Sequence, residues 1–107
     1  MIARLWRGIA GTQADAAAYH HHVTKSVLPS LTTMPGHRGA KVLRREDGGR
    51  IEFLVITLWE SMDAIRKFAG DEPECAVVEP EARAVLVEYD DFVHHYEIAY
   101  DADDHAA

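Results

Sequence analysis

The chain reads as an α+β domain of order β-α-β-β-α-β: the ferredoxin-like arrangement, a four-stranded antiparallel sheet with helices on one face. Three observations predict it. Ile51 to Glu60 holds a near-continuous apolar run, Phe53, Leu54, Val55, Ile56 and Leu58, that stops at Trp59. Such a run marks a strand covered on both faces. A helix follows at once, with Ser61 as N-cap, Asp63 in the first turn and Gly70 as the stop. Upstream, Ala16, Tyr19, Val23 and Val27 recur at helical spacing.

Each element has its own signal. Ile2 to Ile9 alternates loosely through Leu5 and Trp6 as a first strand, and Gly11-Thr12 breaks it. Thr12 followed by Asp15 resembles a capping box and starts a helix over Gln13 to Leu28, with Pro29 marking its approaching end. Gly39 to Arg45 forms strand two, Asp47-Gly48-Gly49 a hairpin turn, and Ile51 to Glu60 strand three. The second helix covers Met62 to Ala69. Pro73 and Pro80 read as first-turn prolines of a short helical turn and of a helix from Pro80 to Leu86. Phe92 to Tyr100 is the last strand. The domain spans residues 1–100, and 101–107 form an acidic, frayed tail.

Strand three turns Phe53, Val55, Thr57 and Trp59 to one side and Leu54, Ile56 and Leu58 to the other. Helices cover only one face, so the second needs a partner sheet. A second copy of the chain, in a homodimer, supplies it most simply.

Composition narrows the function. At 107 residues and 48% hydrophobic content there is one core. The formal charge of −7 argues against nucleic acid, which requires a basic stripe. No stretch suits a bilayer, and Arg4 and Arg7 interrupt the only apolar start, so neither a membrane partner nor a signal peptide is expected. Cys75 is the sole cysteine, which excludes an internal disulfide and a cysteine-based zinc site; a cytoplasmic protein fits best.

Seven histidines are many for this length. His20, His21 and His22 diverge by about 100° per residue on a helix and cannot converge on one metal. His20 flanks the sheet-facing stripe beside Tyr19, while His21 and His22 fan toward solvent. If one imidazole enters a pocket it is His20, a base or donor near neutral pH. His94 and His95 point to opposite faces of the last strand, so one meets a buried side, and no third ligand is nominated for a metal. Arg4, Trp6 and Trp59 could build an aromatic pocket with one cation, suited to a flat anionic or phenolic ligand.

The Pro35-Gly36-x-x-Gly39 entry to strand two, the segment Leu58-Trp-Glu-Ser-Met-Asp-Ala64, Phe68-Ala-Gly70 and His95-Tyr-Glu-Ile98 resemble the antibiotic biosynthesis monooxygenase-like family of small dimeric α+β barrels. The resemblance runs from Ile2 to Ile98 and implies a pocket between sheet and helices, with Trp59 as its wall. In the cofactor-free oxygenases of that family the substrate itself reduces oxygen, often beside an asparagine at the position held here by Val55. Haem-degrading members use a histidine where this chain has Val77, Val78 and Pro80, so the resemblance transfers no haem ligand.

The expectation is a protein binding a small aromatic or polyketide-type molecule, with no cofactor and no metal. Catalytic roles fall to His20 and Trp59, and binding roles to Arg4, Trp6, Tyr19, Val55 and His95. The alternatives are a non-catalytic ligand-binding or stress-associated protein of the same fold, and a haem- or metal-binding variant using His20 or His95.

Overall fold

The computed structural model describes residues 1–102; the expected tail lies mostly outside them. Strand β1 is Ile2–Ala10. Helix α1, Gln13–His22, runs on through a π-helical turn at Val23–Val27 into α2, Leu28–Leu31. Then come β2 (His37–Asp47), β3 (Arg50–Trp59), α3 (Met62–Ala69), α4 (Pro80–Val85), β4 (Glu88–Tyr89) and β5 (His94–Glu97). The sheet order is β2-β3-β1, with β4 and β5 both on the remaining edge of β1 and every pair antiparallel. This is the ferredoxin-like topology, with its fourth strand in two pieces.

Local chemistry explains most boundaries. The Thr12 hydroxyl accepts from the Asp15 amide at 3.1 Å, and the Ser61 hydroxyl from Ala64 at 3.2 Å, so both predicted caps operate. Gly70 ends α3 with φ of 90°, a conformation that favours glycine. The first helix outlasts its prediction. Thr24 returns its hydroxyl to the His20 carbonyl at 2.7 Å, and the Leu28 amide reaches back five residues to Val23. The widened turn absorbs the register change, so Pro29 sits in the first turn of α2 rather than stopping the helix.

The last strand is shorter than predicted. After β4 the chain leaves β1: the Trp6 indole donates to the Asp90 carbonyl at 2.8 Å, and the Val93 amide donates to Glu74 at 2.8 Å. The expected turn at Pro73 is present as a single turn closed by the Cys75 amide donating to the Glu72 carbonyl at 3.0 Å, and it does not continue as a helix because Cys75 pairs with Phe92 in an isolated bridge. Pairing with β1 resumes at His94, and the strand ends at Glu97 instead of Tyr100.

Register sets the two faces of the sheet. Ile2 faces Trp59, Arg4 faces Thr57, Trp6 faces Val55 and Gly8 faces Phe53, all toward the helices. Gly8 is needed there: a Cβ would lie 2.8 Å from the Trp6 ring and 2.9 Å from Leu86. Under the helices the core divides. One cluster gathers Tyr19, Val23, Ile51, Phe53, Val55 and Leu86; the other gathers Leu31, Trp59, Ala64 and Ile65. The opposite face carries Leu5, Leu54, Ile56 and Leu58, half-buried, beside exposed Leu43 and Tyr96, and no helix among the described residues covers it. Among the described residues no helix is long and apolar enough to cross a membrane.

Trp59 is wholly buried. Trp59→Ala is expected to destabilise the fold by about 3–5 kcal/mol in urea unfolding; a loss below about 1 kcal/mol would show that the second cluster does not depend on it.

Candidate functional site

A cavity of about 80 Å³ lies between the two core clusters. Its floor is the sheet, with Arg4 beside Thr57 and Trp6 beside Val55. The first helix supplies Tyr19, His22 and Val23, and the π-helical turn and α2 bring Val27, Leu28 and Leu31. Phe68 and Val93 close one end, and Val77, Val78, Glu79 and Ala82 form the roof.

Arg4 ties floor to roof. Only 5% exposed, it donates to the Pro73 carbonyl at 2.5 Å, the Cys75 carbonyl at 3.0 Å and His95 Nε2 at 2.9 Å, and lies 5.6 Å from the centre of the Phe68 ring. Burial pulls its pKa down while Glu74 and Cys75 oppose the shift, and guanidinium remains charged. The charge is thus used largely to hold the chain over the cavity. His95 accepts from Arg4, so its Nε2 carries a lone pair. Burial, then the Arg4 charge and His94, lower its pKa, against Glu74.

Tyr19 is buried against Phe53, with ring centroids 4.9 Å apart, and against Trp6 at 6.1 Å. Burial pushes its phenol pKa far up, so the hydroxyl stays neutral at physiological pH. His22 is 9% exposed; its Nε2 is buried without a hydrogen-bond partner, 3.8 Å from a Glu79 carboxylate oxygen. An unpaired polar atom at such a position is costly unless it meets a ligand or water.

The cavity gathers a partly different set of residues from the expected one. His20 is exposed, and the imidazole that enters the cavity is His22. His22 lies three residues after Tyr19 and therefore on the same helix face; that spacing was the signal for it, outweighed by reading Tyr19, Val23 and Val27 alone. Trp59 does not line the cavity. Its indole donates to Thr57 Oγ1 at 2.9 Å, stacks on Phe68 at 5.3 Å and takes the His37 ring edge at 5.1 Å. It is a core plug behind Thr57 and Phe68, which are the residues that reach the cavity. Arg4, Trp6, Tyr19 and Val55 do line it, whereas His95 contacts it only through Arg4. Thr57 was legible from strand alternation; nothing in the sequence ordered Phe68 ahead of other apolar residues.

An antiparallel sheet under helices, enclosing a small aromatic cavity with a buried imidazole, defines a ligand-cavity α+β protein. The chain belongs to the antibiotic biosynthesis monooxygenase family, whose model matches residues 9–73. Solved structures share the fold at low identity. The haem degrader MhuD of Mycobacterium tuberculosis, with two haems bound in its active site, is 17% identical with a TM-score of 0.63, covering 94% of this chain and 98% of that one. A putative antibiotic biosynthesis monooxygenase from Bacillus cereus is 14% identical with a TM-score of 0.61, covering 94% and 92%. Rv0793 of Mycobacterium tuberculosis is 17% identical with a TM-score of 0.61. No curated protein sequence matches the chain.

The two perturbed histidines give a pH signature. Burial lowers the pKa of both His95 and His37 in the fold. The unfolded chain therefore binds protons that the fold resists. Their contribution is full above about pH 6.5 and is lost as pH falls through the lower folded values. The melting temperature is expected to drop over this window. His95→Gln, which keeps an acceptor for Arg4, should flatten part of the slope, and His37→Gln a further part; an unchanged slope in the double variant contradicts the assignment.

Proposed function

We propose that the chain is a cofactor-independent monooxygenase-like protein of the cytoplasm, acting as a homodimer on a small aromatic or polyketide-type molecule. The observation that carries this reading is the unpaired Nε2 of His22 at an aromatic-lined cavity. Trp6 and Tyr19 hold the ring. His22 takes the phenolic or enolic proton at Nε2. The resulting carbanion-type anion passes one electron to dioxygen, and the two radicals combine into a carbon-bound peroxide. Loss of water leaves a carbonyl. One methylene and one dioxygen give one carbonyl and one water, so no external reductant enters.

At about 80 Å³ the cavity is smaller than the roughly 150 Å³ that holds a benzene. A ring enters only if the roof from Val77 to Glu79, which has no regular secondary structure, moves outward. The reading invokes no haem: the resemblance carries no haem ligand over to Val77, Val78 or Pro80, and haem is far larger than the cavity in this conformation.

Purified protein incubated with anthrone or a hydroquinone under air is expected to consume oxygen above the uncatalysed rate. His22→Gln should cut that rate by about 100-fold or more, and His20→Gln should leave it nearly unchanged. No uptake above background contradicts the oxygenase reading. The apolar residue at Val55 favours a second one, a binding protein without turnover, for which the same compounds raise the melting temperature and consume no oxygen.

The uncovered face of Leu54, Ile56 and Leu58 supports the dimer. Leu54→Glu is expected to shift the mass measured by light scattering from two chains to one, and a wild-type monomer at micromolar concentration overturns it.

A further inference from the structure

The oxygenase reading uses one atom of the cavity mouth and leaves two carboxylates there unexplained. A nitrogen of His22 and carboxylate oxygens of Glu79 and Glu81 all lie within 4.8 Å of one another. Among the described residues neither glutamate has a lysine or arginine partner, and His22 Nε2 has no hydrogen bond. We propose that His22, Glu79 and Glu81 form a binding site for a divalent transition ion of the zinc class at the mouth of the cavity.

The chemistry of the three groups favours such an ion. Imidazole and carboxylate together suit zinc, manganese or iron(II), whereas magnesium and calcium prefer oxygen alone. Ligand atoms bind zinc at about 2.0–2.2 Å, so the three must draw together by roughly an ångström. The exposed glutamates can do so by rotamer changes, while the buried imidazole stays fixed. An ion there would neutralise two facing carboxylates and give the orphan nitrogen its partner. The first turn of α4 opposes a cation through the helix dipole, but six residues make that opposition weak.

The site lies beyond the oxygenase reading and interferes with it. One lone pair on Nε2 serves either the proton or the ion. A loaded site would leave the cavity without its base while presenting an open coordination position to a ligand oxygen. Zinc is therefore expected to inhibit any oxygen uptake, but the binding itself is measured without substrate.

The test uses untagged full-length protein stripped with chelator, titrated with cobalt(II) by visible spectroscopy and with zinc by calorimetry. Saturation at about one ion per chain is expected. Glu79→Gln with Glu81→Gln, both exposed positions, and separately His22→Ala, should each weaken binding by about tenfold or more. A variant with His20→Ala, His21→Ala and His105→Ala should bind within about twofold of wild type. Melting curves establish that each variant is folded. The proposal is overturned by an absence of saturable binding, by binding retained in the double glutamine variant, or by binding lost in the triple alanine variant.

Discussion

The cavity depends on the three hydrogen bonds of Arg4. A guanidinium 5% exposed on the central strand grips the Pro73 and Cys75 carbonyls and the His95 ring. Without those acceptors the buried charge would be costly. With them, the cost of burying it is offset by charge-assisted bonds that draw an otherwise irregular connection over the sheet. The connection leads into the roof, so one side chain on β1 anchors the start of the segment over the cavity and leaves Val77 to Glu79 outside its grip.

The cavity exists because the core does not close into one body. Tyr19, Phe53 and Val55 pack in one cluster and Leu31, Trp59 and Ile65 in another, with Leu28 touching both. The π-helical turn at Val23–Val27 sits above the gap. An added residue in that turn brings Val27, Leu28 and Leu31 to the same cavity as Val23. Such turns cost helix stability and recur at functional sites, and here the turn lines the cavity.

Legibility from sequence followed the reach of each signal. Caps, hairpin turn and strand alternation are local, so both helix starts, the β2–β3 hairpin and the face shared by Val55, Thr57 and Trp59 could be read directly. The split last strand could not, because its cause is a contact between Asp90 and Trp6 far apart in the chain. The lining of the cavity was half legible. Arg4, Trp6, Tyr19 and Val55 followed from alternation and helical spacing. His20 was preferred to His22 because the stripe was read without the three-residue step from Tyr19. Trp59 was read as a wall because a terminal aromatic serves equally as wall or plug, and only the stacking of Phe68 and the Thr57 hydroxyl decide that.

The account rests on His22, rather than His20, being the imidazole that meets a ligand. Long-range proton–nitrogen spectra of protein labelled with nitrogen-15 histidine, recorded with and without anthrone, test this directly. The account predicts that the His22 ring nitrogens shift on titration while those of His20 and His21 hold still. Shifts confined to His20, or no histidine shift under saturating ligand, would contradict it.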